Sequence, residues 1–199
     1  MKDMKQSIFP NISVSPGCLL LAAVMLYWDE SLFWPGILAC LLHEMGHFIG
    51  IWMAGGRVRW LRFTAVGGEM GLDPVFPLSY GGELLATLAG PAASLLAAAV
   101  GGSMRCFLFA GVSLSMGVFN LLPIRLLDGG RCLYLTVAML ASPESARAAL
   151  FWTSVVISAV LLCCGALLFF HYLNPTLLAT SSWLLMEVIR QNEKNPCVL

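Results

Sequence analysis

Long apolar segments separated by short polar ones dominate the chain. No charged residue occurs at positions 6–28, 84–104 or 106–124, and 39 consecutive residues at 148–186 are also uncharged. A helix needs about 20 predominantly apolar residues to cross a bilayer, so the pattern predicts membrane helices. The predicted helices span about 17–28, 31–54, 82–101, 105–122 (continuing after a break to about 140), 148–170 and 176–190.

The composition agrees with this pattern. Hydrophobic residues make up 59% of the 199 residues and charged residues only 11%, whereas a soluble domain is typically about 25% charged. Because Lys+Arg and Asp+Glu balance at 11 each, nothing favours a nucleic-acid partner. We therefore expect an all-α polytopic membrane protein with about six transmembrane helices in one integral-membrane domain over residues 1–199.

The basic residues predict the orientation of the chain. With the N-terminus in the cytoplasm, ten of the 11 basic residues fall on or near the cytoplasmic side, and only Arg105 lies outside. Both termini are then cytoplasmic. The seven cysteines lie mostly in apolar runs, so we expect small buried hydrophobic side chains and no disulfide framework.

One short motif carries chemistry. The second apolar segment contains His43-Glu44-Met45-Gly46-His47. On a helix, side chains four residues apart share a face, so both imidazoles can bind one ion. Glu44 can then take a proton from metal-bound water. This is the H-E-x-x-H zinc-hydrolase pattern; the alternative is a chance match of two core histidines.

A catalytic zinc usually has a third protein ligand, and Asp128 is the best candidate. It follows a long uncharged helix, Pro123 is expected to break that helix, and Gly129-Gly130 is expected to loosen the backbone beyond the acid. In the alternative interpretation, Asp128 is an interfacial acid paired with a nearby arginine. Four other residues are weaker candidates. His171 lies at the predicted outer end of the fifth helix, on the wrong side, and Glu69, Asp73 and Glu83 lie in or beside a Gly-rich interfacial segment.

Together these motifs closely resemble the site-2 protease family of intramembrane zinc metalloproteases (peptidase family M50). The resemblance rests on the H-E-x-x-H motif, on Asn120-x-x-Pro123-x-x-x-x-Asp128-Gly129, and on Ala89-Gly90-Pro91-Ala92-Ala93-Ser94. It extends from about residue 12 to 140, which would be the catalytic core. Two accessory helices at about 148–190 would follow.

The resemblance implies a role for each matching residue. His43, His47 and Asp128 would bind one Zn²⁺, with Glu44 as the general base. Asn120 and Pro123 would contribute to substrate binding. Ser94 departs from the asparagine that many relatives carry, so the resemblance implies no polar role there; Gly90 and Pro91 would serve helix packing or the substrate path.

The family also carries a membrane-associated β segment between its second and third helices. Here residues 57–63 alternate with period two, Gly67-Gly68 could turn the chain into residues 69–72, and residues 12–15 could add a strand. An ordinary basic loop at the lipid headgroups is the alternative.

The function implied is hydrolysis of a peptide bond in or near a transmembrane segment of a membrane-tethered protein, by zinc-activated water. The early position of the zinc helix is similar to the stage IV sporulation protein FB branch, without its CBS pair. That branch implies a sigma factor precursor or regulator as substrate, regulated intramembrane proteolysis in sporulation, a bacterial cytoplasmic membrane and inhibitory membrane partners. The alternative is a non-catalytic membrane protein, either a metal transporter or an inactive relative that binds helices.

Overall fold

A computed structural model describes residues 10–64 and 67–194. Lys2, Lys5, Cys197 and both chain ends, on which part of the predicted orientation rests, lie outside the described residues. The described chain falls into two compact units that divide between Gly117 and Val118. Its elements are β1 (Asn11–Val14), α1 (Pro16–Trp28), α2 (Glu30–Met53), β2 (Val58–Thr64), β3 (Gly67–Leu72), α3 (Tyr80–Ser103), α4 (Phe107–Asn120), α5 (Asp128–Leu140), α6 (Pro143–Tyr172) and α7 (Thr176–Lys194).

The helices follow the uncharged segments, with one clear difference at α6. Its expected start near residue 148 is wrong, because the helix begins at Pro143. The Ser142 side chain accepts a hydrogen bond from the Ser145 amide at 3.2 Å. Proline suits the first helical position, where no N–H is needed. Capping chemistry, rather than hydrophobicity, therefore sets this boundary.

Three helices of the described chain are long and apolar enough to cross a membrane, namely α2, α3 and α6. Two further apolar helices, at 16–27 and 107–120, are shorter. The exposed side chains of α6 include Trp152, Val156, Val160 and Phe170, an apolar surface of the kind that faces lipid. These features indicate an integral membrane protein, while the expected count of about six spans is not confirmed.

The predicted β segment forms a sheet in the first unit, so the interpretation as an ordinary loop is wrong. The strand order is β1-β2-β3, with β1 parallel and β3 antiparallel to β2. The Ser15 amide donates to the Phe63 carbonyl at 2.8 Å, and Phe63 lies opposite Gly68. The N–H and C=O of one strand residue point to the same side of the strand, so the backbone groups of Phe63 point to β1 and away from β3. The paired Gly68 therefore points its N–H away from β2, to the outer edge of β3.

Small residues bring α2 and α3 together in the first unit. A Cβ built on Gly46 would lie 2.4 Å from the Ala89 carbonyl oxygen, and one on Gly50 would lie 2.8 Å from the Ala86 Cα. Such contact between backbones is typical of membrane helix pairs. His43, seven residues before Gly50 and so on the same side of α2, is also buried, and so is the adjacent Glu44.

In the second unit, the chain between α4 and α5 is irregular, as Pro123 predicts. This segment is fixed at two points. Ile124 is fully buried against Leu184 and Val188 of α7, and the Arg125 amide donates to the Ser154 hydroxyl of α6 at 2.9 Å. The start of α5 therefore has a firm support within its own unit.

Candidate metal centre

The two histidines of the motif point their ring nitrogens at each other. His43 Nε2 and His47 Nε2 lie 3.1 Å apart, and the ring planes meet at 83°. The i,i+4 spacing on α2 produces this approach directly. His43 is only 5% exposed, so neither water nor lipid competes strongly for its ring.

The other ring nitrogen of each histidine has a partner on α3. His47 Nδ1 donates to the Ala86 carbonyl at 2.9 Å, and His43 Nδ1 lies 2.9 Å from the Ser94 hydroxyl. A metal-binding histidine is ordinarily held in this way by its second nitrogen. The described residues thus fit a metal ion on the Nε2 side, where both imidazoles converge.

Glu44 is held by β3. Its Oε1 accepts a hydrogen bond from the Gly68 amide at 2.9 Å, and its side chain is buried beside the histidines. A Cβ on Gly68 would lie 2.3 Å from Glu44 Oε2, so only glycine lets the strand approach this closely. The amide at the outer edge of β3 therefore aims the carboxylate.

A second glycine makes room for His47. A Cβ on Gly90 of α3 would lie 2.2 Å from His47 Nε2. Any larger residue at this position would push the imidazole away from its partner. The resemblance implies a role of Gly90 in helix packing or the substrate path, and in the structure Gly90 leaves the space in which His47 Nε2 lies.

Asp128 is the first residue of α5, in the second unit. The expectation that Gly129-Gly130 loosens the backbone is wrong, because both residues are helical and buried. A Cβ on Gly129 would lie 2.1 Å from the Leu121 carbonyl oxygen, and one on Gly130 would lie 2.1 Å from that of Ile124. The glycines let the preceding segment fold tightly over the helix start that carries Asp128.

The remaining predicted site residues also lie in the second unit. Asn120 is the last residue of α4, and Pro123 lies in the irregular segment that follows. His171, considered for its imidazole, is exposed in the last turn of α6. The roles of Asn120 and Pro123 in substrate binding remain predictions.

Sequence reasoning missed two contacts of the centre. The resemblance implied no polar role for Ser94, yet Ser94 contacts His43 and is 1% exposed. The backbone contact of Gly68 with Glu44 was not foreseen at all. The hydroxyl of Ser94 within an apolar helix could have indicated a polar contact. The backbone amide of Gly68 is present in every residue but proline, so the sequence gives no sign of its contact.

The expectation of buried cysteine side chains is wrong for the described chain, where Cys106, Cys163 and Cys164 are exposed and the others are half-buried. All six that it includes are free thiols: Cys18, Cys40, Cys106, Cys132, Cys163 and Cys164.

An H-E-x-x-H helix with its histidines supported by a second helix and its glutamate held by a strand amide has the features of a metallohydrolase. The sequence pattern of peptidase family M50 matches residues 85–163, a segment that includes Gly90, Asn120 and Asp128 but not the H-E-x-x-H motif. No curated protein matches the chain. Among solved structures, the fold is similar to the site-2 protease from Methanocaldococcus jannaschii, with a TM-score of 0.67, 19% identity and 92% of each chain covered. The family match and the shared fold together support a metalloendopeptidase.

Proposed function

We propose that the protein is an intramembrane zinc metalloprotease that cleaves a membrane-tethered protein in or near its transmembrane segment. The proposal joins three features: apolar helices long enough to span a bilayer, the match to a peptidase family, and a histidine pair next to a buried glutamate. The shorter helices α1 and α4 would lie in the bilayer as well.

The approach of the two Nε2 atoms carries this proposal. Two nitrogens that each lie about 2.05 Å from one tetrahedral zinc are separated by about 3.3 Å. The 3.1 Å between His43 Nε2 and His47 Nε2 is close to that distance. The same two atoms can share a hydrogen bond when no ion is bound, so the spacing suits the pair both with and without the metal.

Asp128 would be the third ligand. Two imidazoles and one carboxylate are an established set for a catalytic zinc, which leaves the fourth position open. His43 and His47 of α2 would supply the two imidazoles, and Asp128 the carboxylate. The buried glycines after Asp128 support this assignment, because they fix the helix start from which the carboxylate extends.

A zinc ion bound by these residues would acidify a water molecule and polarise the scissile carbonyl. Glu44 then accepts the proton of the attacking water at its carboxylate and delivers it to the leaving amine. The Gly68 amide keeps the carboxylate in one orientation through both transfers. Burial of Glu44 limits competition from bulk water.

The outer edge of β3 would hold the substrate. Within the described residues β3 pairs on one side only, and an extended peptide can add to such an edge. A transmembrane helix must unwind before its backbone is open to attack, and pairing with a strand replaces the hydrogen bonds lost in unwinding. Asn120 and Pro123 would also contribute to substrate binding.

The particular substrate would be a membrane-tethered sigma factor precursor or regulator, as in the sporulation branch that the sequence resembles. Both termini would lie on the cytoplasmic side of a bacterial membrane, and other membrane proteins would inhibit the enzyme.

Replacement of the base tests the proposal most directly. Glu44→Gln preserves the shape of the side chain and an oxygen that can accept from the Gly68 amide, but it cannot take up a proton. Co-expression with candidate single-span substrates should give cleavage by the wild type and a loss of about 10²- to 10⁴-fold in Glu44→Gln. Zinc measured by mass spectrometry should stay near one per chain.

Glu144→Gln is the matched control. Glu144 is an exposed acid on α6 that pairs with Arg147 at 3.1 Å, and an exposed pair of this kind contributes little. This variant should cleave like the wild type. Full activity of purified Glu44→Gln, or cleavage that persists after zinc is removed with a chelator, would contradict the proposal.

A further inference from the structure

The Ser94 side chain contacts His43 Nδ1. Its hydroxyl lies 2.9 Å from that nitrogen and is 1% exposed. Burying a hydroxyl in an apolar helix is costly unless it is hydrogen-bonded. His47, by contrast, is held by the Ala86 backbone carbonyl, which no substitution can remove.

The contacts of the two rings restrict where their hydrogens can lie. The Ala86 carbonyl only accepts, so His47 Nδ1 carries a hydrogen and the Nε2 of a neutral His47 presents a lone pair. When both rings are neutral and no ion is bound, the 3.1 Å contact between the Nε2 atoms takes its hydrogen from His43 Nε2. His43 Nδ1 is then bare, and Ser94 donates to it.

Metal binding reverses this arrangement. Both Nε2 atoms must present lone pairs to the ion, so the hydrogen of His43 lies on Nδ1 and Ser94 accepts it. A hydroxyl can serve in either direction, because it is both a donor and an acceptor. A methyl group at the same place can serve in neither.

We propose that Ser94 is a positioning residue for metal binding, whose hydroxyl accepts a hydrogen bond from His43 Nδ1 and holds His43 in the tautomer that coordinates through Nε2. This inference rests on the proposed function, since it assumes that His43 binds the metal. It gives Ser94 a role that its departure from the relatives' asparagine does not suggest.

The test measures metal affinity of the purified full-length chain, stripped with a chelator and titrated with Zn²⁺ against a competing indicator. Ser94→Ala should bind about 10- to 100-fold more weakly than the wild type, and Ser94→Thr, which keeps the hydroxyl, should recover most of the affinity. Ser113→Ala is the matched control. Ser113 is fully buried on α4, and its hydroxyl has no partner among the described residues, so this variant should bind like the wild type.

A second measurement does not depend on the variants. In the zinc-loaded wild type labelled with ¹⁵N-histidine, NMR should show a hydrogen on His43 Nδ1 and none on Nε2. Coordination through Nδ1 would overturn the inference, as would equal affinity of Ser94→Ala and wild type or an equal loss in Ser113→Ala. A wild type that binds no zinc would contradict the proposed function itself, which separates the two failures.

Discussion

The contact between β3 and the glutamate predicts a large effect of one added methyl group. In Gly68→Ala, the new Cβ would lie 2.3 Å, 2.4 Å and 2.7 Å from Oε2, Cδ and Oε1 of Glu44. Ordinary contacts need at least about 3.5 Å, so the carboxylate or the strand must move by about 1 Å. Either movement breaks the hydrogen bond between the Gly68 amide and Glu44.

The size of the effect follows from the bond that is lost. A hydrogen bond to a charged group contributes about 1.5–3 kcal/mol, and each 1.36 kcal/mol corresponds to about tenfold in rate. We therefore expect kcat to fall about 10- to 200-fold, with a smaller change in KM. Zinc content should stay at the wild-type level, because His43 and His47 keep their partners on α3.

The assay is steady-state cleavage of a purified single-span substrate, with zinc measured on the same samples. Gly81→Ala is the control, since a Cβ at that position contacts nothing within 4 Å. In a Glu44→Gln background, Gly68→Ala should cost little further activity, because the two changes act through one group. A kcat within twofold of wild type, or a loss of zinc that parallels the loss of rate, would refute the reasoning.

Three other substitutions test the remaining parts of the centre. Gly90→Ala should displace His47 and lower zinc affinity at least tenfold by competitive titration, whereas Gly102→Ala on the same helix, where a Cβ meets nothing, should not. Asp128→Asn should weaken both zinc binding and cleavage; unchanged zinc affinity would exclude Asp128 as a ligand. Met70→Pro removes an amide that alternation places on the outer edge of β3, so KM should rise several-fold with zinc unchanged; an unaltered KM would argue against strand addition.

The sequence alone determined the half of the candidate metal centre that lies on α2. The five residues from His43 to His47 suffice, because the helical repeat brings side chains four positions apart onto one face whatever the rest of the chain does. The apolar segments determined the helices in the same way, and the alternation at 57–63 determined β2. Each of these patterns is local and repeats with the period of its element.

The tertiary structure decided what surrounds those residues. Ser94 lies 51 positions from His43, and Gly68 lies 24 positions from Glu44. Neither separation corresponds to the repeat of a helix or a strand, so the sequence pattern does not reveal either contact. Ser94 depends on the close packing of α2 against α3, which Gly46 and Gly50 allow. The Gly68 amide reaches Glu44 because it lies on the edge of β3 opposite to the one that pairs with β2. The sequence names the groups that can do chemistry, but the groups that orient them come from contacts between distant segments, because packing rather than local periodicity selects those neighbours.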